Sequence, residues 1–207
     1  MNAPYYPPPP LAPRNSASAW ILGILGAFGG CGLIFVIVIA FAVSTFQKSS
    51  VFHSARARSM QNQKRYAEAE SEWKLAYEAK KEDTTVSNNY AWCLYLEGKN
   101  VEAESLSQRA VKLAPGRLNY LDTLAHIHSG LQKYDLAEKE FNQVVKLDPT
   151  HGYSFQGLGR IYERRKDYDQ ARGYYIKAQD SSRPVDGLEE DLKRIEKLVS
   201  KLKTEGR

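Results

Sequence analysis

The sequence predicts an all-α protein: a helical solenoid of four helix–turn–helix repeats with a C-terminal capping helix, preceded by one transmembrane helix. Three observations predict it. Ala69, Ala103, Ala137 and Ala171 follow one another at steps of 34 residues, and a fixed period of that size marks stacked supersecondary units. Residues 51–180 read as eight amphipathic helices in four pairs. Ala17 to Phe46 holds no ionisable side chain except Cys31.

Residues 1–16 carry no pattern that could build a core, and Pro7 to Pro10 fix a short polyproline II stretch. A disordered tail is the expectation; a ligand for proline-reading domains is the other reading. Residues 17–46 would span about 45 Å as a helix against roughly 30 Å of bilayer hydrocarbon. The run is too long for a signal-peptide apolar core, and it stays apolar well past Cys31 where a processed lipoprotein would turn polar. Gly23, Gly26 and Gly30 share one face, with Gly26 and Gly30 in a GxxxG spacing. Two readings stay open there: a self-association face giving a homodimer, or glycines that are simply common in such helices.

Residues 47–50 connect this span to the repeats. Neither Gly nor Pro interrupts the chain between Gly32 and Gly98, so a helix running unbroken into the first repeat is one expectation. Lys48, Arg56, Arg58, Lys64 and Arg65 follow the span with no acid among them, a segment expected to attract anionic lipid headgroups at about 1 kcal/mol per charge. Against Arg14 on the other flank, this excess leans toward a single-pass protein with a cytoplasmic repeat domain. Repeats on the exported side remain the alternative.

The formal net charge is +5, yet the repeats mix both signs, as in Glu102 and Glu104 against Arg109 and Lys112. A nucleic-acid partner would want cations gathered on one face and is not expected. Cys31 and Cys93 imply no disulfide framework; each reads as a small buried residue.

The repeats occupy 51–183, with helices near 51–64 and 67–80, 85–97 and 101–113, 118–131 and 135–147, then 152–165 and 169–180. Turn signals at Gly98-Lys99-Asn100, Pro115-Gly116, Asp148-Pro149 and Lys166-Asp167 separate them. The small residues Ala57, Ala91, Ala125 and Gly159 are placed where paired helices come closest. After Pro184 the period stops. Asp186 and Glu189 read as a capping box, and Leu188, Leu192, Ile195, Val199 and Leu202 make an apolar stripe. Residues 184–203 are thus expected to cap the solenoid, leaving 204–207 as a tail.

The third repeat (Leu124-Ala125, Tyr134, Ala137, Phe141, Leu147-Asp148-Pro149) and the fourth (Leu158-Gly159, Tyr162, Tyr168, Ala171, Tyr175, Ala178) resemble the tetratricopeptide repeat (TPR) family. The resemblance covers about 130 residues. The first repeat departs from it: His53 and Arg56 stand where the family usually has a large aromatic and a leucine. The resemblance implies that the first helix of each pair lines a peptide groove. Carried over by position, that groove presents Arg58, Asn88, Asn89, Trp92, Tyr95, Asn119, Asp122, His126, Tyr153, Gln156 and Arg160. The carboxylate clamp of some members is matched only at Asn89, with Ser54, Asn119 and Thr123 at other clamp positions, so chaperone-tail binding is not expected.

His126 and His128 point apart on one helix, while Asp122 and His126 face together and read as a hydrogen-bonded pair. A metal site needs more ligands, and no phosphate loop or nucleophile motif appears. Neither enzymatic activity nor a cofactor is expected. The expected function is a membrane-anchored adaptor mediating protein–protein interactions; the alternative is an exported or periplasmic assembly factor for an envelope secretion or pilus machine.

Overall fold

The computed structural model describes residues 36–43, 45, 49–181 and 184–205. The chain divides into two units, Met1–Lys48 and Ser49–Arg207. In the first, residues 36–43 are helical, and Ile37, Val38, Ile39, Phe41 and Val43 are 46–71% exposed. Among the described residues no helix is long and apolar enough to cross a membrane. Most of the expected span lies outside them, including Gly23, Gly26 and Gly30, as do the 1–16 tail and Lys48.

The second unit is all helix and turn. Its first pair is α1 (Ser50–Asn62) and α2 (Tyr66–Ala79), the second α3 (Thr84–Leu96) and α4 (Asn100–Leu113). The third is α5 (Leu118–Gly130) and α6 (Tyr134–Leu147), the fourth α7 (Gly152–Arg164) and α8 (Tyr168–Gln179), and α9 (Leu188–Thr204) closes the series. Every paired helix falls within two residues of its expected bounds. Of the 47–50 connection, Ser49 and Ser50 are described and residues 47 and 48 lie outside the described residues. Ser49 is extended (φ −77°, ψ 144°) and its hydroxyl accepts from Phe52 N, so α1 starts at its own N-cap.

The turn inside each pair repeats with the 34-residue step. Lys64, Gly98, Gln132 and Lys166 all take positive φ, at 59°, 78°, 60° and 62°. The residue after each sends its N–H back five positions: Arg65 to Met60 O, Lys99 to Leu94 O, Lys133 to His128 O and Asp167 to Tyr162 O, at 2.9–3.0 Å. This is the Schellman closure, which satisfies carbonyls that a helix end leaves open.

The four periodic alanines are fully buried, as are Ala57, Ala91 and Ala125. Sixteen residues after each crossing position comes the residue that fills the pair: Trp73, Ser107, Phe141 and Tyr175, none more than 1% exposed. Successive pairs stack through α2 on α3, α4 on α5 and α6 on α7, while α3 lies beside α5 and α5 beside α7. No pair could bury its apolar face alone. The core is divided in two, one part around Trp73, Tyr90 and Leu94, the other around Phe141, Leu158 and Tyr175. Ser107 stands at the junction in place of an aromatic, its Oγ buried without a hydrogen-bond partner.

The atypical first repeat replaces apolar contact with charge. Glu72 on α2, 8% exposed, takes His53 Nδ1 at 2.7 Å and Arg56 Nη1 at 3.0 Å from α1. At the other end α9 packs on α8, burying Leu188 and Ile195. The expected capping box does not form. Gly187, at φ 73°, is the N-cap and supplies no side chain, because the Asp186 carboxylate is turned toward Tyr153.

Candidate binding face

Of the first helices, α3 lies beside α5 and α5 beside α7, and the expected groove residues sit on these three and on α1. Trp92 and Tyr95 on α3 stack at 5.0 Å between ring centroids. His126 on α5 meets Trp92 edge-on at 5.5 Å, Tyr95 at 5.7 Å and Phe141 of α6 at 4.8 Å. The periodicity brings these together, since α3 and α5 present the same face one repeat apart. Asn89 is half-buried, Asn119 is exposed, and Arg58 is exposed with its guanidinium 6.0 Å from the Trp73 ring. Asn88 is buried, its Oδ1 without a partner.

The expected hydrogen bond between Asp122 and His126 is not made. Asp122 Oδ2 lies 3.8 Å from His126 Nε2, beyond hydrogen-bond range, and Nε2 has no other partner. Asp122 instead accepts from Ser154 Oγ of α7 at 2.5 Å. Ser154 Oγ also lies 3.0 Å from His151 Nδ1. Burial holds the His126 imidazole below its usual pKa, so it is a neutral ring wedged among aromatics. The Ser154, His151 and Asp122 arrangement does not suit a nucleophile relay. Ser154 is wholly buried, and serine and aspartate both face the same ring nitrogen.

In the fourth repeat the chain itself occupies the face. Asp191 of α9, 3% exposed, receives Gln156 Nε2 at 2.8 Å and Arg160 Nε at 2.9 Å, together with Arg194 Nη2. Gln156 also donates to Asp186 O at 3.0 Å, and Tyr153 Oη to Asp186 Oδ2 at 3.4 Å. Three expected groove residues (Tyr153, Gln156 and Arg160) thus serve the cap. Beside them opens a cavity of about 860 Å³, bordered by Tyr95, Tyr134, Arg160, Arg164, Tyr168 and Arg194 among others. Glu163 at its edge binds Arg194 at 2.7 Å and Tyr175 Oη at 2.7 Å. Burial pushes the Glu163 carboxyl up, and those bonds outweigh it, leaving the carboxyl below its usual value.

Sequence reasoning did not find Asp186, Asp191, Ser154, Arg164, Lys166 or Arg194 as neighbours of this face. Asp186 reads as part of a capping box, and nothing in the spacing of either acid announces a return to α7. The expected headgroup residues are also partly engaged: Arg56 binds Glu72, and Arg65 binds Glu68, while Lys64 is exposed in its turn. His128 points away from the groove and lies between two carboxylates, with Nδ1 2.8 Å from Glu140 Oε2 and Nε2 3.1 Å from Glu104 Oε1. Cys93 is a buried thiol that burial pushes up to about 12. Among the described residues no group of three or more His, Cys, Asp or Glu could hold a metal ion.

Comparison with known proteins bears on this architecture. A thermophilic TPR protein of Thermus thermophilus aligns with a TM-score of 0.67 at 13% identity over 74% of this chain and 84% of that one. Pseudomonas aeruginosa PilF aligns with a TM-score of 0.58 at 20% identity over 88% and 84%. A probable assembly chaperone of rpl4 from Emericella nidulans is 41% identical over 64 residues, 29% of this chain and 17% of that protein. The chain spans no more than 17% of the length of the curated relatives it matches. The tetratricopeptide repeat profile matches residues 54–117 and 123–184, the stretch in which the alanine step, the Schellman turns and the paired crossings recur, and this chain belongs to the tetratricopeptide repeat family.

Proposed function

We propose that the chain is a membrane-anchored adaptor that holds an extended segment of a partner protein on the face shared by α3 and α5. As a TPR protein it is built to bind protein or peptide; the anchoring and the place of binding are the further step. The observation that carries the proposal is the Trp92, Tyr95 and His126 cluster. Stacked aromatics on a half-buried face offer large, rigid contact area of the kind that anchors a partner's apolar side chains. Asn89 and Asn119 flank it with amide groups suited to a peptide backbone. Anchoring is supported by the 17–46 apolar run and by the exposed apolar side chains of residues 37–43. Binding rather than chemistry is the reading that the buried, unavailable Ser154 favours.

The test uses the full-length chain. It is expected to stay with the membrane fraction after an alkaline carbonate wash, and to capture partners that Trp92→Ala with Tyr95→Ala loses. Release by the wash overturns the anchor; equal capture by the double variant overturns the face. A second reading, an exported or periplasmic assembly factor, draws on the resemblance to an assembly chaperone. A carboxyl-terminal fusion to an enzyme active only after export separates the two, since activity there would place the repeats outside the cytoplasm.

A further inference from the structure

We infer that the cavity of about 860 Å³ beside Tyr95 receives acidic side chains of a partner's extended segment, with Arg164 and Lys166 as the cations that hold them. This deepens the adaptor reading and rests on it. Four cations border the cavity. Arg160 and Arg194 are already bound to Asp191 and Glu163. Arg164 and Lys166, both exposed, form no ion pair with any described residue, so the open part of the cavity carries an excess of positive charge. The chain's own Asp191, which lines the cavity, demonstrates the chemistry: a single carboxylate draws Gln156, Arg160 and Arg194 together.

The walls suit a peptide better than a free anion. Tyr95, Tyr134 and Tyr168 line the cavity and give flat apolar area for the methylenes between charges. A volume of this size is in the range of clefts that take small ligands, room for the side chains of a segment lying across it. Lys166 is also well placed, because it sits at the left-handed position of the Schellman turn and its backbone is fixed before anything binds. Preorganisation of that kind lowers the ordering cost of binding.

The probe is a fluorescein-labelled, amidated heptapeptide of glutamate and leucine, with a lysine-for-glutamate analogue, titrated into the full-length chain. The glutamate peptide is expected to bind saturably and more weakly as salt rises, and the lysine analogue not to bind. Arg164→Gln with Lys166→Gln should weaken binding about tenfold or more. Glutamine suits the second position because Gln132 adopts the same turn one repeat earlier, and an unchanged melting temperature checks the fold. No saturable binding of the glutamate peptide, equal binding of the lysine analogue, or unchanged affinity in the double variant overturns the inference. So does loss of binding to anionic phosphatidylserine vesicles in that variant with peptide affinity intact, which would assign the cations to lipid. If Trp92→Ala with Tyr95→Ala loses its partners while the Arg164 and Lys166 variant keeps them, the adaptor reading stands and the cavity assignment falls.

Discussion

A Cβ at Gly159 would stand 2.5 Å from Cε1 of Tyr175. The same crossing is alanine in the other three pairs, where the partner sixteen residues on is Trp73, Ser107 or Phe141. In the fourth pair the tyrosine cannot retreat: it is wholly buried, and its Oη donates to Glu163 at 2.7 Å. Gly159→Ala therefore gains about 1 kcal/mol of helix propensity but overpacks a tethered ring, at a cost of roughly 1–3 kcal/mol. Net destabilisation of about 1 kcal/mol is expected in urea unfolding. A more stable variant would show that the Tyr175 ring yields.

The Schellman turns give a comparison internal to one molecule. Gly98 has φ 78°, and a Cβ placed on it would meet nothing within 4 Å, so Gly98→Ala tests backbone alone and should cost about 1 kcal/mol. Gln132→Gly removes a left-handed strain of about 1–2 kcal/mol and adds unfolded-state freedom of about 0.5–1 kcal/mol. A small gain is expected from thermal melts. Equal and opposite shifts at the two sites are not required, only opposite signs.

How much of this was legible in the sequence follows from what each signal depends on. The alanine step and the turn residues are local and periodic, so they located all eight paired helices and the crossings. Trp92, Tyr95 and His126 were named from the family resemblance, and their rings lie together because positions one repeat apart share a face. What periodicity cannot reach is a contact made once. Asp186 was expected to cap α9, but the carboxylate is drawn to Tyr153 and the cap falls to Gly187. Asp122 was expected to bond His126, four residues along its own helix, but it prefers Ser154 of the next repeat at 2.5 Å. In both cases a long-range partner outcompeted a local one.

Ser107 offers a prediction of gain. Its hydroxyl is buried without a partner where the other pairs place an aromatic, and an unsatisfied buried polar group costs about 1–3 kcal/mol. Ser107→Ala should raise the midpoint of urea unfolding by an amount equivalent to about 1 kcal/mol, with the slope unchanged. A lower midpoint would mean that the hydroxyl finds a partner in solution.

His128 should make stability depend on pH. Both ring nitrogens face carboxylates, Glu140 and Glu104, an arrangement that only the doubly protonated ring satisfies as donor to both. Its pKa is raised, chiefly by the bond to Glu140. The sign follows from linkage: the contribution is fully present below the unfolded value, ordinarily about 6.5, and is lost as pH rises through the higher folded value. His126 opposes this trend, since burial lowers its pKa, so the two must be separated by substitution. The melting-temperature difference between the unaltered chain and His128→Gln is expected to be largest below about pH 6.5 and to shrink as pH rises past the folded value. A difference independent of pH would mean that the His128 ring titrates alike in the folded and unfolded chain.

Asp191 links the cap to the groove face, and its removal tests whether that link is structural. Asp191→Ala leaves Arg160 without its acceptor, leaves Gln156 with the Asp186 carbonyl alone, and removes one of the two carboxylates on Arg194. Breaking a buried charged pair from one side typically costs about 3–5 kcal/mol. Arg160 is partly exposed here (its side chain 40%), so water recovers part of that and about 1–3 kcal/mol is the expected loss. Because α9 is the last helix and is held otherwise by Leu188 and Ile195, the loss should fall on local opening. Hydrogen exchange is expected to quicken across α9 while α3 to α6 keep their protection. Uniform acceleration through all the repeats would instead make Asp191 part of one cooperative fold, and the cap inseparable from the solenoid it closes.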